Sequence, residues 1–313
     1  MEVTREDIRA ADERIRSSIR TTPVVEVEPG FYLKLESLQR TGSFKVRGAF
    51  NFLAAHPEVD HVVAASGGNH GLAVAFAATQ LGRQADIFCP STSPVIKLDR
   101  IRATGANLHV VDGFYPAALQ ASRQHLAENP GAVELHAFDH PAVVAGQGTC
   151  GQEILEQIPD LAEVVVAVGG GGLIAGIASW IRDDAAVVAA ETEGTPALHA
   201  SLEAGKPIEV EVGGVAADSL GAARVGDIAF ETALRWVDES VIVTDADVIR
   251  AQRWLWDELR LVAEPGAATA VAVALQRRDG SAKPICAVVS GANTSPANLD
   301  NRDTGSDAGP GAE

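Results

Sequence analysis

Short apolar runs rich in β-branched residues recur along the chain, at Val62–Ala65, Ile87–Cys89, Leu108–Val111, Val164–Val168, Val187–Ala190, Val241–Val243 and Ile285–Val289. Helical stretches separate most of them, such as Leu72–Leu81, Val95–Thr104, Ala117–Ala127 and Gly151–Ile158. Strand–helix alternation of this kind implies an α/β fold, with parallel sheets covered by helices on both faces. At 313 residues the chain suits two modest domains or one large one. The stretch 56–140 holds three complete strand–helix units and reads as a small α/β domain inserted into a larger one made of 1–55 and 141–293. A cleft between two such sheets is a usual place for a ligand. The tail 294–313 has almost no apolar residues and is expected to be disordered. Ahead of the alternation, Thr4 and Asp7 resemble a capping box for an amphipathic helix ending near Arg20, and a short strand is expected around Tyr32–Leu35.

Composition narrows the partners. A net charge of −17 argues against a nucleic acid or an anionic membrane surface, both of which need a basic footprint. It does not exclude an anionic ligand, because local backbone N–H groups outweigh a distant net charge. Cys89, Cys150 and Cys286 are odd in number and widely spaced, without zinc or thioredoxin spacing. They read as reduced core thiols. The charged start, MEVTREDIRAADERIR, lacks the apolar stretch of a signal peptide, and no run of about 18 apolar residues is present to span a bilayer. A cytoplasmic protein is expected.

Certain segments carry chemistry. In Ser43-Phe44-Lys45-Val46-Arg47-Gly48-Ala49 the lysine sits between apolar neighbours at the head of a helix. Apolar surroundings lower an amine's pKa, which a covalent-catalysis lysine requires; a solvated surface charge is the plainer alternative. In Val62–Gly71 a strand runs into Ser66-Gly67-Gly68-Asn69-His70 and then a helix, a junction whose amides suit a carboxylate or phosphate. In Val164–Leu173 the turn is Gly169-Gly170-Gly171-Gly172, free of Cβ atoms, so that several amides can meet one phosphate. A dinucleotide site remains open there, because Gly170, Gly172 and Ala175 satisfy G-x-G-x-x-A and Glu191 ends the next strand. Finally Ser290-Gly291-Ala292-Asn293 closes an apolar strand, at the strand end where ligands collect in such sheets.

In this order and at these intervals, S-F-K-V-R-G-A, S-G-G-N-H-G, G-G-G-G-L and S-G-A-N resemble the fold-type II pyridoxal-phosphate enzymes, closest to the serine/threonine dehydratase and serine racemase branch. The likeness runs from about Thr4 to Asn293. It implies a tryptophan synthase β-like architecture of two open, twisted, mostly parallel sheets flanked by helices. It also implies pyridoxal 5'-phosphate held covalently on Lys45, with Phe44 packed on the pyridine ring. Asn69 is then expected at the cofactor's phenolic oxygen, Gly169–Gly172 and Leu173 at its phosphate, and Ser290 at its pyridine nitrogen. Ser66, Gly67, Gly68, Asn69 and His70 are expected to hold the substrate carboxylate. The implied activity is β-elimination and deamination of L-threonine or L-serine to 2-oxobutyrate or pyruvate plus ammonia, by a homodimer.

Departures from the branch sharpen this reading. Racemases of the branch place a serine two residues before the loop asparagine, where this chain has Gly67. The branch's divalent-cation site pairs a glutamate with an aspartate six residues on; here these are Glu191 and Ala197, so no metal is expected and Glu191 reads as a satisfied strand-end acid. The A-D-G segment reads Ala217-Asp218-Ser219, and Ser219 either narrows the pocket or adds a hydrogen bond. Glu264 matches a glutamate near the cofactor pocket, with a helix-terminal acid as its plainer role. The chain ends soon after Asn293, so isoleucine feedback is not expected. The alternatives are β-replacement, racemisation and, outside the family, a nicotinamide oxidoreductase built on Gly170–Ala175.

Overall fold

The apolar runs pair into two sheets in the computed structural model, which describes residues 2–278 and 283–295. The chain opens with α1 (Arg5–Ile15) and a hairpin of β1 (Val24–Glu28) and β2 (Phe31–Lys34), then enters α2 (Lys45–Ala55). Strand and helix next alternate through β3 (His61–Ala65), α3 (Asn69–Gln80), β4 (Gln84–Pro90), α4 (Val95–Arg102), β5 (Asn107–Val111), α5 (Tyr115–Glu128) and β6 (Ala132–Glu134). After α6 (Pro141–Gln157) come β7 (Glu163–Ala167), α7 (Gly172–Ile181) and β8 (Ala186–Thr192). Helices α8 (Ala197–Ala204), α9 (Ala217–Leu220) and α10 (Asp227–Trp236) lead to β9 (Glu239–Val243), α11 (Asp245–Leu259), α12 (Pro265–Arg277) and β10 (Ile285–Val288).

The smaller sheet has the order β5-β4-β3-β6 and is wholly parallel. The larger has the order β1-β2-β10-β7-β8-β9, parallel except for the β1–β2 hairpin. Its central strands are buried on both faces, which is why their sequences read as continuous apolar runs rather than alternating ones. Val164 and Val166 pack with α6 and α7, while Val165 and Ala167 pack with α12. In the smaller sheet Val62 and Ala64 face α2 and α3, and Val63 and Phe88 face α5.

Both strand orders reverse direction at one point. Successive strands run β3, β4, β5 to one side, while β6 returns to the other side of β3. Likewise β7, β8, β9 run one way, and β10 lies on the other side of β7. A crevice opens beyond the strand ends at such reversals. The segments beyond β3, β7 and β10 are Ser66–Gly68, Gly169–Gly171 and Ser290–Asn293, three of the four chemistry-bearing segments.

One local expectation needs correction, and one strand has no counterpart among the expectations. Helix α1 stops at Ile15, not near Arg20. Arg20 is drawn off the helix axis by Gln39, whose side chain bonds its N–H at 2.9 Å and its C=O at 2.6 Å. Strand β1, an edge strand in which Glu26 and Glu28 interrupt the valines, was hidden by that polarity. The expected tail lies almost wholly outside the described residues. Among the described residues no helix is long and apolar enough to cross a membrane.

Candidate active site

Lys45 is the first residue of α2, set there by a tie across the large sheet. The Phe44 N–H donates to Ser290 C=O at 3.1 Å, and Ser43 bridges Gly291, so the end of β10 fixes the entry to the helix. The Lys45 amine donates to Ala137 C=O at 2.9 Å and lies 5.1 Å from the centre of the Phe44 ring. It has no carboxylate partner among the described residues. Burial without compensation pushes the amine down to about 8, closer to neutrality than an ordinary lysine.

Beneath it, the α2 helix is anchored by a buried charge cluster. Arg47 is fully buried and forks onto Glu36 at 2.7 and 2.8 Å and onto Glu153 at 2.7 and 2.9 Å. Lys34 bonds Glu153 at 2.6 Å. Two cations thus meet two carboxylates, and every head group is paired, as burial of charge demands. The cluster holds the helix two residues from the reactive amine.

The tetraglycine turn is shaped by its neighbours. Gly171 has φ +86° and caps α7, a conformation that favours glycine. A Cβ on Gly170 would come within 2.3 Å of the Phe138 ring, and one on Gly172 within 2.9 Å of Phe138. The amides of Gly172, Leu173 and Ile174 fall in the first helical turn, where no intrahelical acceptor exists. Phe138 follows Ala137, the acceptor of the Lys45 amine, so one loop touches both lysine and glycine turn. That loop is organised by His136, whose Nδ1 accepts from the Asp139 N–H at 2.9 Å. Asp139 in turn caps α10, accepting from Asp227 and Ile228 N–H at 3.1 and 3.0 Å. Sequence reading missed 136–139, because the segment carries no glycine or periodic signal. Its position after β6, beside the reversal at β3, is the only clue.

The loop after β3 leads into α3, with Gly68 as N-cap and Asn69 as first residue. The Asn69 side-chain amide lies 2.9 and 3.1 Å from the Glu264 carboxylate oxygens. Its carbonyl oxygen accepts from Asn293 Nδ2 at 2.5 Å. Glu264 therefore faces the site, although it also precedes α12; burial pushes its carboxyl up, against the Asn69 hydrogen bond. Ser66 Oγ accepts from the Gly68 N–H at 3.2 Å. His70 donates from Nε2 to Leu135 C=O at 2.8 Å, and burial pushes its ring down to about 3, so it is neutral. Gly67 has no side chain, and the hydroxyl of Ser93 fills the space where one would start. Ser219 adds a hydrogen bond, accepting from the Gly266 N–H at 3.0 Å. Its neighbour Asp218 pairs with Lys97.

The structure thus brings Phe44, Lys45, Asn69, Ser290 and the glycine turn around one crevice. The arrangement fits a flat phosphorylated aldehyde: a half-buried amine with no carboxylate partner among the described residues, a glycine cradle for a phosphate, and first-turn amides that have no intrahelical acceptor. A family model described as pyridoxal-phosphate dependent enzyme matches residues 15–291. The chain belongs to this family. Its cofactor is accordingly pyridoxal phosphate, and the architecture is that of fold type II. L-threonine ammonia-lyase of Thermotoga maritima is 38% identical over 304 residues, covering 93% of this chain and 76% of that protein. The enzyme of the same name from Geobacter sulfurreducens is also 38% identical, covering 91% and 74%. Among solved structures, maize serine racemase superposes with a TM-score of 0.89 at 30% identity, covering 96% of this chain and 97% of that one. The processed threonine deaminase isoform 2 of Solanum lycopersicum gives 0.87 at 30% identity, covering 96% and 93%.

Glu191, the acid of the dinucleotide fingerprint, does not face this crevice. Its carboxylate accepts the Leu198 and His199 N–H groups at 2.8 and 2.7 Å, at the start of α8. Cys89, Cys150 and Cys286 are free and buried.

Proposed function

We propose that this family member eliminates the β-hydroxyl of L-threonine or L-serine and releases 2-oxobutyrate or pyruvate with ammonia. The observation that carries the reading is the half-buried Lys45 amine, without a carboxylate partner among the described residues and tied to the Ser290 segment, in a chain 38% identical to L-threonine ammonia-lyases over most of its length. Bound pyridoxal phosphate supplies the electron sink for the α-carbon. Lys45 would hold it, and the Lys45 amine, in its neutral form, would take the substrate α-proton. The resulting ammonium can protonate the departing hydroxyl, which would otherwise leave as hydroxide. Ser290 would offer the pyridine nitrogen a neutral hydroxyl, which would not hold that nitrogen protonated as a carboxylate would and would favour prompt expulsion of the β-group.

In this reading the amides of Gly169–Gly172 and Leu173 hold the phosphate. Phe44 packs on the ring. Glu264 takes one Asn69 amide hydrogen and leaves the other for the phenolic oxygen. The Ser66–His70 turn holds the substrate carboxylate, with His70 acting through its bond to Leu135. Gly67 offers no proton donor, so elimination is favoured over racemisation. Residues 56–140 form the smaller inserted domain and 1–55 with 141–293 the larger. The protein is cytoplasmic and a homodimer, which light scattering on the purified enzyme checks.

Proton NMR in D2O tests the reaction. Cofactor-loaded enzyme should convert L-threonine to 2-oxobutyrate and L-serine to pyruvate, with no D-serine accumulating. Loss of the α-proton signal without an oxo acid would overturn the elimination.

A further inference from the structure

A second group of chemistry-bearing side chains lies on the smaller sheet. His61 opens β3, Asp86 is on β4, His109 on β5 and His125 on α5, the helix that covers this face. His61 Nε2 lies 2.6 Å from Asp86 Oδ2, and His109 Nε2 lies 2.5 Å from Asp86 Oδ1. His125 Nε2 points at the same carboxylate from 3.9 Å, too far for a hydrogen bond. That nitrogen is shielded from solvent and has no hydrogen-bond partner. Shielded polar atoms are nearly always satisfied, and a gap this wide between a nitrogen and a carboxylate suits a cation.

We propose that His61, Asp86 and His125 bind a zinc-class transition-metal cation, with His109 orienting the carboxylate from its other oxygen. The ligand atoms of the three residues all lie within 4.8 Å of one another. Ligands on a tetrahedral zinc, at about 2.0–2.1 Å from the metal, stand roughly 3.3 Å apart, so closure needs shifts of about 1 Å. His125 has the freedom for this, its side chain being 23% exposed at the helix flank. Two imidazoles and one carboxylate leave a fourth position for water and select zinc, cobalt or nickel over magnesium and calcium, which prefer all-oxygen sites. The His109 bond to Asp86 is the outer-shell contact that orients a ligating group.

The site is separate from the lysine. His61 begins β3 and Ser66 follows its end, roughly 16 Å along the strand. A cation here would tie β3 and β4 to α5 without touching the crevice. Its expected effect is on the stability of the smaller sheet, through binding to the native state alone.

Cobalt provides the test. Holoenzyme is dialysed against chelator and titrated with Co2+ alone, then with Zn2+. The proposal expects one equivalent of Co2+ giving visible d–d bands, their loss on adding Zn2+, and a melting temperature raised by Zn2+. In His125→Gln and in His61→Gln the affinity should fall at least 10-fold, with turnover unchanged. The free cysteines are buried and do not compete. Should His61→Gln fail to fold, His125→Gln, on a half-buried helix flank, decides alone. Absence of d–d bands, or affinity unchanged in His125→Gln, overturns the proposal.

Discussion

Asn69 donates its side-chain amide to both carboxylate oxygens of Glu264, at 2.9 and 3.1 Å, and so joins the first residue of α3 to the residue that precedes α12. The two helices belong to different sheets, and the bond spans the crevice between them. A charged hydrogen bond is worth about 1.5–3 kcal/mol. Glu264→Gln keeps an acceptor but loses the charge, and should lower kcat/KM for L-threonine about 10-fold. Glu264→Ala leaves the amide without its acceptor, and about 100-fold is expected. Steady-state kinetics, with the visible band of the bound cofactor as a check on loading, measures both. Wild-type kinetics in Glu264→Ala would remove the residue from the site.

Lys45 makes the chemistry pH-dependent. Burial pushes its amine down to about 8, and only the neutral amine attacks an aldehyde. The rate at which apoenzyme takes up pyridoxal phosphate should therefore climb through pH about 8 and level off above it, as followed by stopped-flow absorbance. The sign for stability follows from the same shift. An unfolded lysine keeps its proton up to about 10.4, whereas the native one releases it near 8, so the apoenzyme gains stability between those values as pH rises. An uptake rate that is flat from pH 7 to 9 would contradict the burial argument.

The glycine turn tolerates no Cβ where Phe138 packs. Gly170→Ala would drive a methyl to 2.3 Å from the ring, and overpacking of this kind costs about 1–3 kcal/mol. Cofactor affinity should weaken about 10- to 100-fold, read by fluorescence titration of the apoenzyme. Adding Phe138→Leu opens the space, and the double variant should recover part of the loss. No recovery would mean that the turn itself, rather than its packing against Phe138, is what the methyl disturbs.

Much of this site was legible because parallel strands bury both faces and place their ligand-binding turns at strand ends. Val164–Val168 is apolar throughout for the first reason, and Gly169–Gly172 follows it for the second. What stayed hidden depends on contacts between residues far apart in the chain. Arg47 reads in sequence as part of the lysine segment; its partners Glu36 and Glu153 lie on other elements, so its buried network had no local signature. The 136–139 loop was invisible for the same reason, as was the bond that decided between two roles for Glu264. The end of α1 was misplaced because Ile19 remains buried after the helix stops, so the apolar pattern outruns the helix.

Glu191 shows how one residue's surroundings choose between the roles open to it. In sequence it reads as a satisfied strand-end acid or as an acid for a ribose or a cation; in the fold its oxygens accept the Leu198 and His199 amides, with Ser240 Oγ 3.5 Å away. Burial pushes it up to about 7, against those hydrogen bonds. The native state thus holds a proton that the unfolded chain has released above about 4.5. This contribution to stability is fully present below about 4.5 and is lost as pH rises through about 7. Glu191→Gln mimics the protonated acid, so its melting temperature should change less than wild type between pH 5 and 7.5, with activity retained. Differential scanning calorimetry across that range measures the slope. Adding Mg2+, Ca2+ or NAD should shift neither protein, because the oxygens that would receive them already bond to backbone amides. A melting temperature raised by any of the three in wild type, and not in Glu191→Gln, would restore the ligand-binding role.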